Sequence, residues 1–175
     1  MTRSPSSPTN RHRPLRLRLL LALPLGLAAA CGYTVGSGLP ARGIRTVALE
    51  VVANDTYRQR LEVELSQALS RELPVSSDLV LADRRRADAV LQVVFTNADE
   101  RTLVIGGLDS PVREGAFEGR VRMRLVRPDG SLVLERLVLD RTEFRSPIGE
   151  NLTSARQELV EDLARKVALA LSDDF

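Results

Sequence analysis

The sequence contains very few of the side chains on which most active sites depend. It has one cysteine, one histidine and no tryptophan in 175 residues, and aromatic residues make up 3%. The histidine, His12, lies in an amino-terminal stretch with the features of an export signal. Once that stretch is removed, the chain has no histidine for a serine triad, a cysteine–histidine pair or a zinc site.

Lysine is almost absent too, and carboxylates are the remaining route to catalysis. Lys166 falls in a predicted amphipathic helix, where a solvated charge is expected. Glu143 with Glu150, or Asp109 with Glu114, are candidate acid and base pairs, although nothing in the pattern singles them out. The sequence therefore predicts a protein that is not an enzyme and binds neither metal nor cofactor, with a carboxylate-based periplasmic hydrolase left as an alternative.

Residues 1–30 have the three zones of a secretory leader. Five arginines precede an apolar stretch, Leu19 to Leu27, and three alanines, Ala28 to Ala30, supply the small residues that a signal peptidase requires. The apolar segment is too short for a bilayer, which takes about 20 residues. We therefore expect residues 1–30 to be a lipoprotein signal peptide and not a permanent anchor.

The single cysteine stands directly after the small residues. The stretch from Leu27 to Cys31 resembles a lipobox, although Ala28 occupies the place where lipoproteins prefer leucine. We therefore expect Cys31 to carry covalent lipid, and two or three acyl chains to hold the protein firmly at a membrane. Gly32 follows where an aspartate would favour the inner membrane, so this resemblance implies the outer membrane. The alternative is a buried thiol behind an ordinary signal peptide.

The charge balance changes when the leader is set aside. The whole chain has 25 basic and 23 acidic residues, and five of the basic ones and none of the acidic ones lie in residues 1–30. The remaining net charge is −3, from 20 basic and 23 acidic residues. A mildly acidic domain gives no support to nucleic-acid binding, which favours a basic face.

The first half of the remaining chain predicts a tether, a strand and a helix. Residues 31–43 are glycine-rich and are expected to be flexible. In Ile44 to Val52, the alternating Val47, Leu49 and Val51 predict a strand with one buried face. Thr56 followed by Gln59 resembles a capping box, so a helix should begin there; Pro74 should end it near Glu72.

The second half predicts mainly strands and one further helix. Leu79 to Ala82 should form an edge strand, and Ala89 to Phe95 a central strand. Residues 120–125 and 132–144 flank the turn Pro128-Asp129-Gly130 and predict a hairpin. Apolar residues at helical spacing run from Leu152 to Ser172, capped by Asn151. Residues 44–175 should thus form one α+β domain, a mixed, mostly antiparallel sheet of four or five strands with two helices on one face.

Three arginines form the most suggestive polar pattern. Arg120, Arg122 and Arg124 alternate with apolar residues, so their guanidinium groups should point to one face of a strand. Such a row could bind the phosphates of an anionic glycolipid. Alternatively, the arginines pair with Glu135 and Asp140 and keep one sheet face hydrated.

A second candidate is an apolar segment beside a glycine turn. Ile105, Gly106, Gly107 and Leu108 lie between two predicted strands, and a loop tip of this kind often contacts a partner. The alternative is that the segment folds back over the core.

The order and spacing of several short motifs resemble those of the LptE family. They are Cys31-Gly32-Tyr33, Gly38-Leu39-Pro40 before Ile44 to Leu49, Asn54-Asp55-Thr56-Tyr57 and Ala87 to Leu91. The resemblance implies an outer-membrane, periplasm-facing lipoprotein, anchored through Cys31, that plugs an LptD-like β-barrel and assists lipopolysaccharide assembly. The alternative is an accessory lipoprotein of another envelope secretion or transport complex with a similar fold.

Overall fold

A computed structural model describes residues 38–106 and 112–172. The signal peptide, most of the tether with Cys31, Gly107, Leu108 and Asp109 lie outside the described residues. The elements in chain order are a 3-10 turn (Pro40–Arg42), β1 (Thr46–Leu49), β2 (Ala53–Asn54), α1 (Leu61–Ser76), β3 (Val80–Leu81), β4 (Ala89–Ile105), β5 (Val112–Val126), β6 (Leu132–Arg145), a second 3-10 turn (Ser146–Ile148) and α2 (Leu152–Ser172).

The strands form one mixed sheet in the order β3-β1-β4-β5-β6, with β2 paired to β4 beside β1. Strand β1 pairs in parallel with β3 and with β4, and β2 pairs in parallel with β4. The long strands β4, β5 and β6 form antiparallel pairs. The predicted α+β fold is confirmed. The described residues contain six strands, not four or five, because the two-residue strand β2 follows the first predicted strand, Ile44 to Val52, and was not predicted.

Both helices lie on one face of this sheet. Along β5, Val121, Met123 and Leu125 are fully buried, and α2 contributes Leu159, Leu163 and Val167 to the same core. The contact is closest at Gly119, where an added Cβ would lie 2.8 Å from Leu159 Cδ2 and 3.0 Å from Leu163 Cδ1. Gly119 therefore lets α2 approach the sheet.

The prediction of the first strand is wrong at the carboxyl-terminal end of that strand. Val51 was expected to lie on the buried face with Val47, but 84% of its surface is exposed, whereas Val52 is buried. The chain leaves β1 at Leu49 and pairs again only at Ala53, so the alternation does not continue through Val51. Parallel pairing also buries Ala48 against Val90 on the opposite face, so a period of two does not describe β1.

The predicted bounds of α1 are wrong at both ends. Thr56 caps no helix, because its N–H and hydroxyl both donate to Asn54 Oδ1 in a turn, at 2.9 and 2.7 Å. The helix starts at Leu61 after Arg60, whose φ is 71°. Pro74 lies inside the last turn and does not end the helix, and Ser77 N–H donates to the Leu73 carbonyl at 3.1 Å.

The remaining elements lie where the sequence predicts them, but two strands are longer than predicted: β4 continues past Phe95 to Ile105, and β5 begins at Val112 and not at Arg120. Strand β3 lies at a sheet edge, β4 is central, and β5 and β6 form a hairpin. Helix α2 has the predicted bounds, and Asn151 Oδ1 accepts hydrogen bonds from the N–H groups of Thr153 and Ser154 at 2.8 and 3.2 Å. This side-chain cap satisfies two of the amides that a helix start leaves unpaired.

Asp88 fixes the start of β1 against the start of β4. Its Oδ2 accepts hydrogen bonds from Arg45 N–H at 3.0 Å, Thr46 N–H at 2.9 Å and the Thr46 hydroxyl at 2.8 Å. These donors, the Arg45 amide first, lower the pKa of Asp88 because they stabilise its ionised form. Asp83, Arg84, Arg85 and Arg86 precede it in an exposed turn, as their charge predicts.

We expect Gly119→Ala to destabilise the domain by about 1 to 3 kcal/mol, since the new methyl group overpacks the contact with Leu159 and Leu163. Urea unfolding followed by circular dichroism measures the change. The matched control is the same substitution in a Leu159→Ala background, where space is available and the additional cost of Gly119→Ala should shrink. Equal costs in both backgrounds would contradict this packing account.

Candidate functional site

The sheet face opposite the helices carries the arginine row. Arg120, Arg122 and Arg124 are exposed, whereas the residues between them in β5 are buried beneath the helices. The register places Arg124 between Gln92 of β4 and Glu135 of β6. We call this side of the sheet the outer face. The structure thus brings the three arginines together, because consecutive side chains of a strand point to opposite faces.

One carboxylate forms ion pairs with two of these arginines. Glu135 Oε1 lies 3.8 Å from Arg122 Nε, and Glu135 Oε2 lies 3.7 Å from Arg124 Nε. All three side chains are about half exposed, so each pair contributes only about 0 to 1 kcal/mol. Within residues 38–106 and 112–172, no ion pair is formed by Arg120. The row therefore keeps an excess of positive charge.

The predicted pairing with Asp140 is wrong. Asp140 lies opposite Gly119 in the β5–β6 register, on the helix side of the sheet, and therefore faces away from the arginine row. Its Oδ1 accepts a hydrogen bond from Lys166 Nζ of α2 at 2.7 Å. Lys166 is half exposed, so it is a surface charge tied to a carboxylate, in agreement with the predicted solvated role.

Two exposed leucines lie next to the arginine row. Leu137 is opposite Arg122 and Leu139 is opposite Arg120, and 54% and 60% of their surfaces are exposed. The outer face therefore combines guanidinium groups with apolar side chains, an arrangement suited to an anionic amphiphile. Sequence reasoning missed both leucines, because leucines occupy both faces of β6 and its period of two is obscured.

A shallow depression of about 350 Å³ lies beside the arginine row. It is lined by Glu50, Val51, Ala53, Gln92, Val93, Val94, Arg122 and Arg124. Glu50 receives hydrogen bonds from Gln92 Nε2 at 2.8 Å and Arg84 Nη1 at 3.0 Å. The Gln92 bond first, and then the Arg84 bond, lower the pKa of Glu50, so this carboxylate is ionised at neutral pH.

The other end of the outer face is balanced in charge. Glu118 Oε2 lies 3.3 Å from Arg101 Nε, and its Oε1 lies 3.6 Å from Arg141 Nη1. Arg141 also donates to Glu143 Oε1 at 2.9 Å. Each arginine there has a carboxylate neighbour, so the positive excess is confined to the row on β5.

The end of the β4–β5 hairpin is exposed on both sides. The last seven residues of β4, 99–105, are all exposed, whereas a strand covered by helices would alternate. Exposed fractions are 41% for Leu103, 39% for Val104 and 81% for Ile105, and the pairing shifts register twice near them. Within the part of the tip that the structure describes, Leu103, Val104 and Ile105 therefore do not fold back over the core. Ile105 and Gly106 belong to this part, and Gly107 and Leu108 lie outside the described residues.

The carboxylates considered for catalysis have basic or backbone neighbours. Glu114 lies 3.5 Å from Arg145 Nε, Glu143 accepts from Arg141, and Glu150 accepts from the Arg145 N–H at 2.9 Å. Among the described residues, no group of three histidine, cysteine or acidic side chains could hold a metal ion. No helix in the same ranges is both long and apolar enough to cross a bilayer.

Comparison with known families assigns this domain to one of them. The LptE model, described as lipopolysaccharide-assembly, matches residues 44–172, almost the whole described domain. The chain belongs to the LptE family. A curated relative, the LPS-assembly lipoprotein LptE of Photorhabdus laumondii, is 25% identical over 163 residues, covering 90% of this chain and 82% of the relative.

Two solved structures share the fold of this LptE-family chain. Protein XCC0632 of Xanthomonas campestris superimposes with a TM-score of 0.55 at 11% identity, covering 73% of this chain and 83% of that one. The hypothetical protein CT253 of Chlamydia trachomatis gives a TM-score of 0.51 at 14% identity, covering 71% and 96%. At such identities, the likeness concerns the fold alone.

The prediction that the arginine row binds an anionic glycolipid can be tested with Arg122→Ala. This variant should weaken binding of purified lipopolysaccharide by about 10-fold to 100-fold, because a hydrogen bond to a charged group contributes about 1.5 to 3 kcal/mol. The melting temperature should stay nearly unchanged, since the substitution removes only a half-exposed ion pair. The matched control is Arg85→Ala, which removes an exposed arginine from the turn before β4. Titration calorimetry that finds equal binding for both variants would show that the arginine row is merely solvated.

Proposed function

We propose that this chain is an outer-membrane lipoprotein that binds and plugs an LptD-like β-barrel and assists lipopolysaccharide assembly at the outer leaflet. The match of residues 44–172 to the LptE family carries this proposal. The role is one of binding and not of catalysis, which is consistent with the neighbours that occupy the candidate carboxylates Glu114, Glu143 and Glu150.

Attachment to the membrane is assigned to Cys31. The only cysteine of the sequence follows the small residues of the leader. Each buried methylene contributes about 0.8 kcal/mol, so two or more acyl chains hold a protein where one chain does not. The lipid would be the only covalent group that the protein requires, and the domain would face the periplasm.

Lipopolysaccharide is assigned to the outer face of the sheet. Its phosphates match the forked donors of Arg120, Arg122 and Arg124, and the exposed Leu137 and Leu139 would contact its apolar part. The excess of guanidinium groups over carboxylates supports this assignment. If every arginine of the row were paired with a carboxylate, phosphate binding there would gain little free energy.

The apolar hairpin tip is assigned to the barrel. Residues 99–105 are exposed on both faces of β4, and Ile105 is the most exposed of the apolar residues at its end. An apolar projection of this kind loses contact with water when a partner encloses it, and each Å² of buried apolar surface contributes about 25 cal/mol. The alternative partner is another envelope secretion or transport complex.

Cys31→Ser should release the protein from the membrane, because the thiol that accepts the lipid is lost. Fractionation followed by mass spectrometry of the amino terminus measures both membrane attachment and acyl chains. The unsubstituted protein is expected in the outer-membrane fraction with a lipidated amino terminus at residue 31. A Cys31→Ser protein that still partitions with membranes would contradict the lipid anchor.

Affinity purification of the lipoprotein should recover a large outer-membrane β-barrel, and Ile105→Asp should reduce that recovery several-fold, because it places a charge in a desolvated contact. Val75→Asp is the matched control, since Val75 is 80% exposed and lies on α1. Recovery of different envelope machinery supports the alternative partner. Equal recovery of the barrel with Ile105→Asp and Val75→Asp would show that the hairpin tip does not contact the barrel.

A further inference from the structure

A cavity of about 340 Å³ lies where the turn before β4 meets the turn between β5 and β6. Its lining residues come from both turns and from the strands beside them. They are Arg84, Val90, Gln92, Val126, Arg127, Pro128 and Gly130. A space of this size holds roughly ten water molecules at about 30 Å³ each, so it admits a phosphate group together with part of the molecule that carries it.

The strands contribute an apolar pair of the outer face to this cavity. Val90 of β4 lies opposite Val126 of β5, and the next outward pair along these strands is Gln92 with Arg124. Val90 also packs in the small buried cluster on this face, so its position is fixed. The cavity is separate from the depression beside the arginine row, although Gln92 lines both.

The two arginines of the cavity come from turns that backbone hydrogen bonds close. In the turn that carries Arg84, Arg86 N–H donates to the Asp83 carbonyl at 2.8 Å. In the turn after β5, Arg127 N–H donates to the Ser131 carbonyl at 2.9 Å. A ligand between these turns would therefore order little additional backbone, which lowers the entropic cost of binding.

Each of these arginine side chains makes one hydrogen bond among the described residues. Arg84 Nη1 donates to Glu50 Oε1 at 3.0 Å, and Arg127 Nη2 donates to the Arg42 carbonyl at 3.0 Å. A guanidinium group has five N–H donors, so both arginines retain donors for a ligand. None of the described residues that line the cavity is acidic. Glu50 lines the neighbouring depression, and the Asp129 carboxylate accepts a hydrogen bond within its own turn.

We propose that this cavity is a second phosphate-binding site, in which Arg84 and Arg127 hold a phosphate group between the two turns. The forked donors of arginine match the oxygens of a phosphate, and the two valines would contact the carbon atoms beside a phosphate ester. The phosphate is either one that lipopolysaccharide carries or a free ion of the same chemistry. The lipopolysaccharide source rests on the proposed function, whereas the phosphate site itself does not.

Titration of the purified lipoprotein with inorganic phosphate, at constant ionic strength, tests the site itself. Nuclear magnetic resonance should show shifts of the Gly130 amide and of the Gln92 side-chain amide. Arg84→Gln and Arg127→Gln should each weaken this binding about tenfold, because each removes hydrogen bonds to a charged group. Arg85→Gln is the matched control, since Arg85 is exposed in the same turn and does not line the cavity. All three variants should melt like the unsubstituted protein.

Lipopolysaccharide with and without its phosphates distinguishes the two sources. If the cavity takes a phosphate of lipopolysaccharide, the double variant, Arg84→Gln with Arg127→Gln, should bind intact lipopolysaccharide at least tenfold more weakly. It should bind the dephosphorylated form as the unsubstituted protein does. If the double variant loses only inorganic phosphate and binds intact lipopolysaccharide normally, the cavity takes the free ion.

Two outcomes would overturn the proposal. One is an unsubstituted protein in which phosphate shifts neither of the two amides. The other is an equal affinity for phosphate in Arg84→Gln, Arg127→Gln and Arg85→Gln, which would reduce the effect to general surface charge. An unsubstituted protein that binds phosphate in the cavity and does not bind lipopolysaccharide would contradict the proposed function and leave the phosphate site standing.

Discussion

The packing of α2 against β5 is the contact on which the rest of the structure depends. Gly119 brings Leu159 and Leu163 close to the sheet, and Val121, Met123 and Leu125 extend that contact along the strand. Because consecutive side chains of a strand point to opposite faces, burying these residues of β5 forces the side chains between them outward. The arginine row is thus positioned by the core, although none of its three members belongs to it.

The sequence predicted the parts of the fold where local pattern and tertiary environment agree. Helix α2 has one apolar side over its full length, and β5 alternates arginine with apolar residues, so both were recognised. Prediction failed where tertiary contacts override the local sequence pattern. Parallel pairing buries both Val47 and Ala48, a turn held by Asn54 uses the hydroxyl of Thr56, and the last turn of α1 accommodates Pro74.

The candidate site was predicted in its residues but not in its surroundings. Alternation alone places Arg120, Arg122 and Arg124 together, whereas the cross-strand register determines that Glu135 lies beside two of them and that Asp140 faces α2. The β5–β6 register depends on the length of the turn between these strands and on the irregular pairing at Leu125 and Val126 beside it, which a single sequence does not specify. For the same reason, the outward position of Leu137 and Leu139 was hidden.

The two edges of the sheet meet the same physical problem in opposite ways. An open strand edge attracts other strands, and short or charged edges are the usual protection. Strand β3 is only two residues long, so it offers almost no ladder to a partner. Strand β6 is 14 residues long, and three of its outward backbone groups have partners within the domain. The Leu139 carbonyl accepts from Lys166 Nζ, and the N–H groups of Arg141 and Arg145 donate to Asp140 and Glu150. The long edge is thus protected by side chains of its own strand and of the segments that follow it, whereas the short edge needs no such cover.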